Sequence, residues 1–223
     1  GNDGELRAIR DHMTLRGPYG AGEWVDPLHR VGLGHRRLSI IDLSPAGAQP
    51  MLLPEFQLAI VFNGEIYNYR ELRAALEQQG HVFKSNSDTE VLLRLYAQKG
   101  EAMMNDLRGM YAFALWDGEQ RGLLLARDPF GIKPLYFADD GRTFRAASQV
   151  KALLAGGYIE KTPDPAGHVG FFLWGHVPEP YTLFKTIRSL PPGATLWVGQ
   201  GGGRRERKFC SITEILSHAE RSN

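Results

Sequence analysis

The run Met110-Tyr111-Ala112-Phe113-Ala114-Leu115-Trp116, a turn at Asp117-Gly118, and the apolar return over 122–126 constrain this chain more than any other segment. Together they predict a hairpin whose strands are apolar on both faces, and such strands need cover on both sides. A second hairpin follows, from Leu135-Tyr136-Phe137 through the Asp139-Asp140-Gly141 turn to residues 143–147. Short strands are also predicted over 57–62, 182–187 and 194–198, before the glycine-rich turn 199–203.

Helices are signalled by capping patterns. Asn2 with Glu5 opens one in which Leu6, Ile9 and Met13 recur at helical spacing, up to the break at Arg16-Gly17-Pro18. Asn68 with Glu71 opens a second that stops at Gly80, and Ser87 with Glu90 a third that turns Val91, Leu92 and Leu95 inward before Gly100. A further helix is expected over 164–174, and Ser211 with Glu214 marks an exposed helix or linker stub at 211–223. Strands dominate and helices group between 68 and 107, which predicts an α+β layered fold over alternating βαβ units.

A chain of 223 residues is long enough for one compact domain with a sizeable core. Its 26 basic and 25 acidic residues nearly cancel, leaving no field to attract nucleic acid or an anionic membrane. No apolar run approaches a bilayer span and no secretory signal opens the sequence, so a soluble, cytoplasmic protein is expected. A single cysteine, Cys210, excludes an internal disulfide framework, and the seven histidines are too scattered to suggest zinc, His29 and His35 being six apart. Phosphate-binding loops, nucleophile elbows and zinc-protease signatures are missing, and no cofactor is expected.

What remains is polar residues at strand ends and helix starts. In Gly34-His35-Arg36-Arg37-Leu38-Ser39-Ile40-Ile41-Asp42, alternation puts Leu38 and Ile40 on one face and leaves an arginine able to grip a carboxylate, or simply to lie on the surface. Asn63-Gly64-Glu65 follows the 57–62 strand, where the Asn63 Nδ2 and the Gly64 N–H could converge as an oxyanion hole or merely form a turn. Asp88 at a helix start could bind an ammonium, or help cap the helix.

Taken together these runs, with Arg16-Gly17-Pro18, Phe62-Asn63-Gly64-Glu65-Ile66-Tyr67-Asn68, Ser87-Asp88-Thr89-Glu90 and Arg127-Asp128-Pro129-Phe130-Gly131-Ile132-Lys133-Pro134-Leu135-Tyr136, resemble the class II, amino-terminal-nucleophile glutamine amidotransferases. Within that family they are most similar to the glutaminase domain of asparagine synthetases. The resemblance implies a four-layer αββα sandwich of two antiparallel sheets flanked by helices, with the domain over 1–208 and a linker or tail over 209–223. It implies hydrolysis of L-glutamine to glutamate and ammonia for an ATP-dependent synthetase domain or subunit in asparagine biosynthesis, and leaves a homo-oligomer open. Neither ATP nor magnesium is expected on this chain.

By the same resemblance Arg37 binds the glutamine α-carboxylate, Asp88 and Glu65 hold its α-ammonium, and Asn63 with Gly64 forms the oxyanion hole. Leu38, Ser39, Ile40 and Ile41 line the pocket, and 127–136 is structural or faces the synthetase partner. The family's nucleophile is an amino-terminal cysteine on a first strand, which is expected upstream of Gly1. Leu15 and Tyr19 depart from the histidine and aspartate that usually flank Arg-Gly-Pro. Rival readings are a non-catalytic glutamine-binding or interaction module on a degenerate glutaminase fold, and an amidase acting on another acylated amine.

Overall fold

A computed structural model describes residues 3–37 and 47–221. Helix α1 (Asp3–His12) and a 3₁₀ turn at Thr14–Arg16 lead into the hairpin β1 (Ala21–Val25) and β2 (Gly32–Arg36). Next come β3 (Met51–Leu53), the long β4 (Leu58–Ile66), α2 (Tyr69–Gln78) and α3 (Asp88–Lys99). The central hairpin is β5 (Gly109–Asp117) and β6 (Gly122–Arg127), followed by the hairpin β7 (Tyr136–Asp139) and β8 (Phe144–Ala147). Helices α4 (Val150–Ala155) and α5 (Pro165–Trp174), strands β9 (Ile187–Ser189), β10 (Ala194–Gly199) and β11 (Arg204–Lys208), and α6 (Ile212–Arg221) complete the order.

Among the described residues the strands form three antiparallel sheets. Six run in the order β11-β10-β6-β5-β4-β3, three in the order β8-β7-β9, and β1-β2 stands as a pair. One face of the large sheet packs on α2 and α3: Ile60, Phe62, Ile66, Phe113 and Leu124 interleave with Leu76, Val91, Leu92 and Leu95. Its other face meets the small sheet through Ala112, Leu125, Leu135 and Leu196, with Phe137, Phe144 and Ala146 packed alongside. On the far side of the small sheet Ile9, Ala152 and Leu153 cover Ala138, Ala147 and Ile187. Helix, sheet, sheet and helix are therefore stacked, and the β5–β6 hairpin is covered on both faces, as its composition requires.

Several expectations need correction. The strand predicted to end at Phe62 continues to Ile66, so Asn63, Gly64 and Glu65 lie inside β4, opposite Ala112, Tyr111 and Met110. Their polarity hid this, because the ladder to β5 satisfies the backbone whatever the side chains are. The strand predicted over 182–187 starts only at Ile187. The Thr182 hydroxyl bonds to Phe184 and Ile187 and holds a turn there, leaving a single bridge between Pro163 and Phe184.

β11 was not predicted: its sequence, Arg204-Arg205-Glu206-Arg207-Lys208, is exposed on both faces at a sheet edge, where charge discourages further pairing. Asn2 lies outside the described residues. Asn68 does not cap α2 with its side chain, which bridges instead to the Asp106 carbonyl and the Arg108 amide. Ser87 does cap α3, accepting from the Thr89 amide at 3.2 Å. Glu90, though, turns to the amides of Lys84 and Ser85, away from a capping box.

Candidate functional site

One cleft of about 640 Å³ opens between the large sheet, the small sheet and the β1–β2 hairpin. Asn63, Gly64 and Glu65 of β4, His35 and Arg37 at the end of the hairpin, Asp88 at the start of α3, and Gln49 all line it. Along β4, Leu58, Ile60, Phe62 and Ile66 are committed to the core beside α2 and α3. Strand alternation therefore turns Val61, Asn63 and Glu65 to the cleft face. The predicted residues Arg37, Asn63, Gly64, Glu65 and Asp88 are thus brought together from three elements. Leu38, Ser39, Ile40 and Ile41 lie outside the described residues.

The backbone of β4 supplies the most specific feature. Tyr67 donates its amide to Arg108 on the β5 side at 2.7 Å, so the amides of Phe62, Gly64 and Ile66 point off the opposite edge. Two of these are captured there: Phe62 donates to Gln49 Oε1 at 2.6 Å, and Ile66 to Asp88 Oδ2 at 3.1 Å. The Gly64 amide lies between them, aimed off the same edge. Only glycine fits, because a Cβ at position 64 would stand 2.1 Å from the Met110 carbonyl oxygen, at a φ of +155°.

Asp88 is buried. Burial lifts its carboxyl above the ordinary 3.8, and the neighbouring Glu65 carboxylate adds to the lift against the bonds from the Ile66 and Thr89 amides. Two carboxylates, one of them poorly solvated, make a place that a cation improves. Burial pushes the His35 imidazole down to about 4, helped by the Arg37 charge and opposed by a bond to the Phe62 carbonyl. The ring is therefore neutral near pH 7. Its other nitrogen, Nδ1, is a buried acceptor without a partner among the described residues.

Arg37 is held from behind. Its amide donates to the Gly20 carbonyl at 2.9 Å, its carbonyl accepts from Tyr19, and Arg36 Nε donates to the Gly17 carbonyl at 3.1 Å. A Cβ on Gly17 would fall 2.4 Å from the Arg36 carbonyl carbon, so the Arg16-Gly17-Pro18 loop can lie this close only with glycine. Leu15 and Tyr19, the two departures, are both exposed and line no part of the cleft. Gly17→Ala is expected to weaken ligand binding about tenfold while lowering stability by only about 1–2 kcal/mol. Calorimetric titration beside thermal melting checks this, and equal binding in the variant contradicts it.

Sequence reasoning missed two lining residues. His35 was considered only as a zinc ligand, and Gln49 carried no signal at all. Gln49 spans from the Phe62 amide to the Thr89 hydroxyl, tying β4 to the start of α3. The 127–136 loop is braced from within: Asp128 is wholly buried and accepts amides from Tyr111, Phe130, Ile132 and Lys133, while Phe130 and Ile132 remain exposed. Arg127 fans out to Lys133, Gly131, Leu190, Ser189 and Glu179.

Two antiparallel sheets stacked between helix layers, with this donor edge at the mouth of their cleft, define the class II glutamine amidotransferase architecture. The chain belongs to the family described as the glutamine amidotransferase domain, whose model matches residues 2–210. It is 42% identical over 198 residues to asparagine synthetase [glutamine-hydrolyzing] 1 of Bacillus subtilis, covering 88% of this chain and 30% of that protein. It is also 42% identical over 153 residues to amidase chry2 of Gibberella zeae, covering 69% of this chain and 23% of that one. Among solved structures, the glutamine phosphoribosylpyrophosphate amidotransferase of B. subtilis superposes with a TM-score of 0.58 at 24% identity, over 80% of this chain and 34% of that one, a likeness of fold. The chain spans about a third of the length of the curated asparagine synthetases it matches.

Proposed function

We propose that this domain hydrolyses L-glutamine to glutamate and ammonia, and that the ammonia serves an ATP-dependent, amide-forming synthetase of the asparagine-synthetase kind. The observation that carries the reading is the β4 edge, where the Gly64 amide sits between two captured amides beside the Asn63 side chain.

In this mechanism a thiolate attacks Cδ of the glutamine side-chain amide. The oxygen that becomes negative is met by the Gly64 N–H and Asn63 Nδ2. The C–N bond breaks, the nitrogen leaves as ammonia after taking a proton, and water then cleaves the C–S bond of the thioester to give glutamate. Cys210 does not line the cleft; its amide bonds to Gly193. By the family's chemistry the attacking thiol is assigned to an amino-terminal cysteine, which is not among these 223 residues, with its α-amine as base. Arg37 faces the substrate α-carboxylate, and Asp88 with Glu65 faces its α-ammonium.

The charge assignment predicts a pH dependence. The raised Asp88 pKa favours the folded state at low pH, and that contribution is lost as pH rises through it. A bound ammonium reverses the preference, because it needs the carboxylate. Glutamine affinity is thus expected to fall as pH drops through the raised Asp88 pKa, with a proton released on binding there, and Asp88→Asn should flatten the profile. A profile unchanged by Asp88→Asn contradicts the role.

Glutamate release by the intact natural polypeptide, with L-glutamine, D-glutamine and L-asparagine compared, tests the activity. Turnover of L-glutamine alone is expected, with Arg37→Ala raising KM about 30- to 100-fold, the loss of a charge-assisted pair. Equal turnover of all three, or none of L-glutamine, overturns the proposal.

A further inference from the structure

Helix α5 is built inside out. Its inward contacts are glycines: a Cβ on Gly167 would lie 2.0 Å from the Thr182 carbonyl oxygen, and one on Gly170 would lie 2.2 Å from the Pro178 ring. The large side chains instead face away, with Phe172 83% exposed, Leu173 67% and Trp174 62%, joined by Val169 and Phe171. No Asp, Glu, Lys or Arg occurs from Pro165 to Pro178. A helix apolar all round belongs in an interior. These five residues offer on the order of 500 Å² of apolar surface, at the upper end of what a soluble monomer tolerates.

Two other exposed apolar groups are linked to α5 through a relay of polar contacts. Pro178 packs on Gly170, and Glu179, the next residue, is ion-paired to Arg127, whose guanidinium holds the Gly131 carbonyl in the loop that exposes Phe130 and Ile132. The Asp128 carbonyl accepts from the Gly193 amide, and the Gly193 carbonyl accepts from Cys210, one residue before the segment that leads into α6. Helix α6 exposes Ile215 and Leu216.

We infer that the outer face of α5, continued by Phe130, Ile132 and the apolar side of α6, is the docking surface for the synthetase body of the same polypeptide. This rests on the proposed function in one respect, that the chain acts as the amidotransferase third of a longer synthetase. The relatives of 36–42% identity carry more than two thirds of their length outside the match, and on the proposed function the corresponding synthetase body is the occupant this face fits. Depletion of charge around aromatic anchors is the composition of an interface core. Residues 171–174 span a full helical turn and are exposed throughout it, which makes a convex knob. A knob needs a concave partner, whereas a twofold contact with a second copy would set knob against knob.

The test is a fusion in which residues 3–221 replace the matching segment of B. subtilis asparagine synthetase 1, with the amino-terminal strand that precedes the match in that enzyme, and its nucleophile, kept. Hydrogen exchange over 165–176 is expected to be at least about tenfold slower in the fusion than in the 223-residue chain. The double variant Phe172→Ser/Leu173→Ser should abolish that protection and uncouple amide formation from glutamine, with glutamate release retained. Equal exchange in the two proteins overturns the docking surface. Loss of glutamate release in the unsubstituted fusion, with protection intact, overturns the glutaminase reading alone. Sedimentation of the 223-residue chain is independent of the fusion: a monomer whose binding of an apolar dye is lost in the double variant supports the inference, and a dimer dissolved by that variant assigns the surface to a second copy and overturns it.

Discussion

Asp128→Ala is expected to lower the stability of the chain by about 4 kcal/mol and its melting temperature by roughly 8–16 °C. The carboxylate is wholly buried and accepts four amides, from Phe130, Ile132, Lys133 and Tyr111, at 3.0–3.2 Å. Alanine leaves all four without that acceptor, the Tyr111 amide buried and the other three partly buried, and each such loss costs about 1–3 kcal/mol before relaxation. Against a total stability of about 5–15 kcal/mol this is a large fraction. Asp128→Asn keeps an acceptor for two of the amides but turns an NH₂ group on the others, so it should recover only part of the loss. Chemical denaturation of the three proteins checks the order, and a cost under about 1 kcal/mol for alanine contradicts the account of the loop.

The second large effect belongs to Gly64. A methyl group there meets the β5 backbone, 2.1 Å from the Met110 carbonyl oxygen and 2.7 Å from the Tyr111 Cα, so no side-chain movement relieves the nearest contacts. β4 and β5 must part, at a cost of about 3 kcal/mol in packing and backbone strain. The Gly64 amide moves with the strand. Its loss as an oxyanion donor should lower kcat by a further 10²- to 10³-fold. Gly80, also at positive φ but with open space around it, provides the control: Gly80→Ala carries strain without the collision and should leave kcat unchanged. Similar kcat losses at both positions would place the effect in general destabilisation and not in the donor edge.

How much of this was legible beforehand depended on where each signal is written. The β5–β6 hairpin could be read directly, since its apolar run and Asp117-Gly118 turn lie in consecutive residues. Helix α3 was legible for the same reason, from Ser87 through Gly100. β11 was not, because an edge strand is held by backbone pairing with β10 and advertises nothing in its charged side chains. β4 was cut short at Phe62 because the residues that serve the cleft interrupt the apolar pattern that marks a strand.

The site divides in the same way. Arg37, Asn63, Gly64, Glu65 and Asp88 were named through a family resemblance, and no local rule would have chosen them over ordinary surface, turn and cap residues. The structure adds what brings them together. Gln49 reaches Phe62 across 13 residues and Thr89 across 40, and His35 is defined by the burial of its ring. These are tertiary facts with no counterpart in adjacent residues.

Calorimetric titration of the 223-residue chain with L-glutamine tests the central claim most directly, because binding needs no nucleophile. Saturable one-to-one binding of L-glutamine, weakened at least about tenfold in both Arg37→Ala and Asp88→Asn and not reproduced by L-asparagine or D-glutamine, is the predicted result. Folded protein that binds no L-glutamine, or binds it equally well without Arg37 and Asp88, contradicts it.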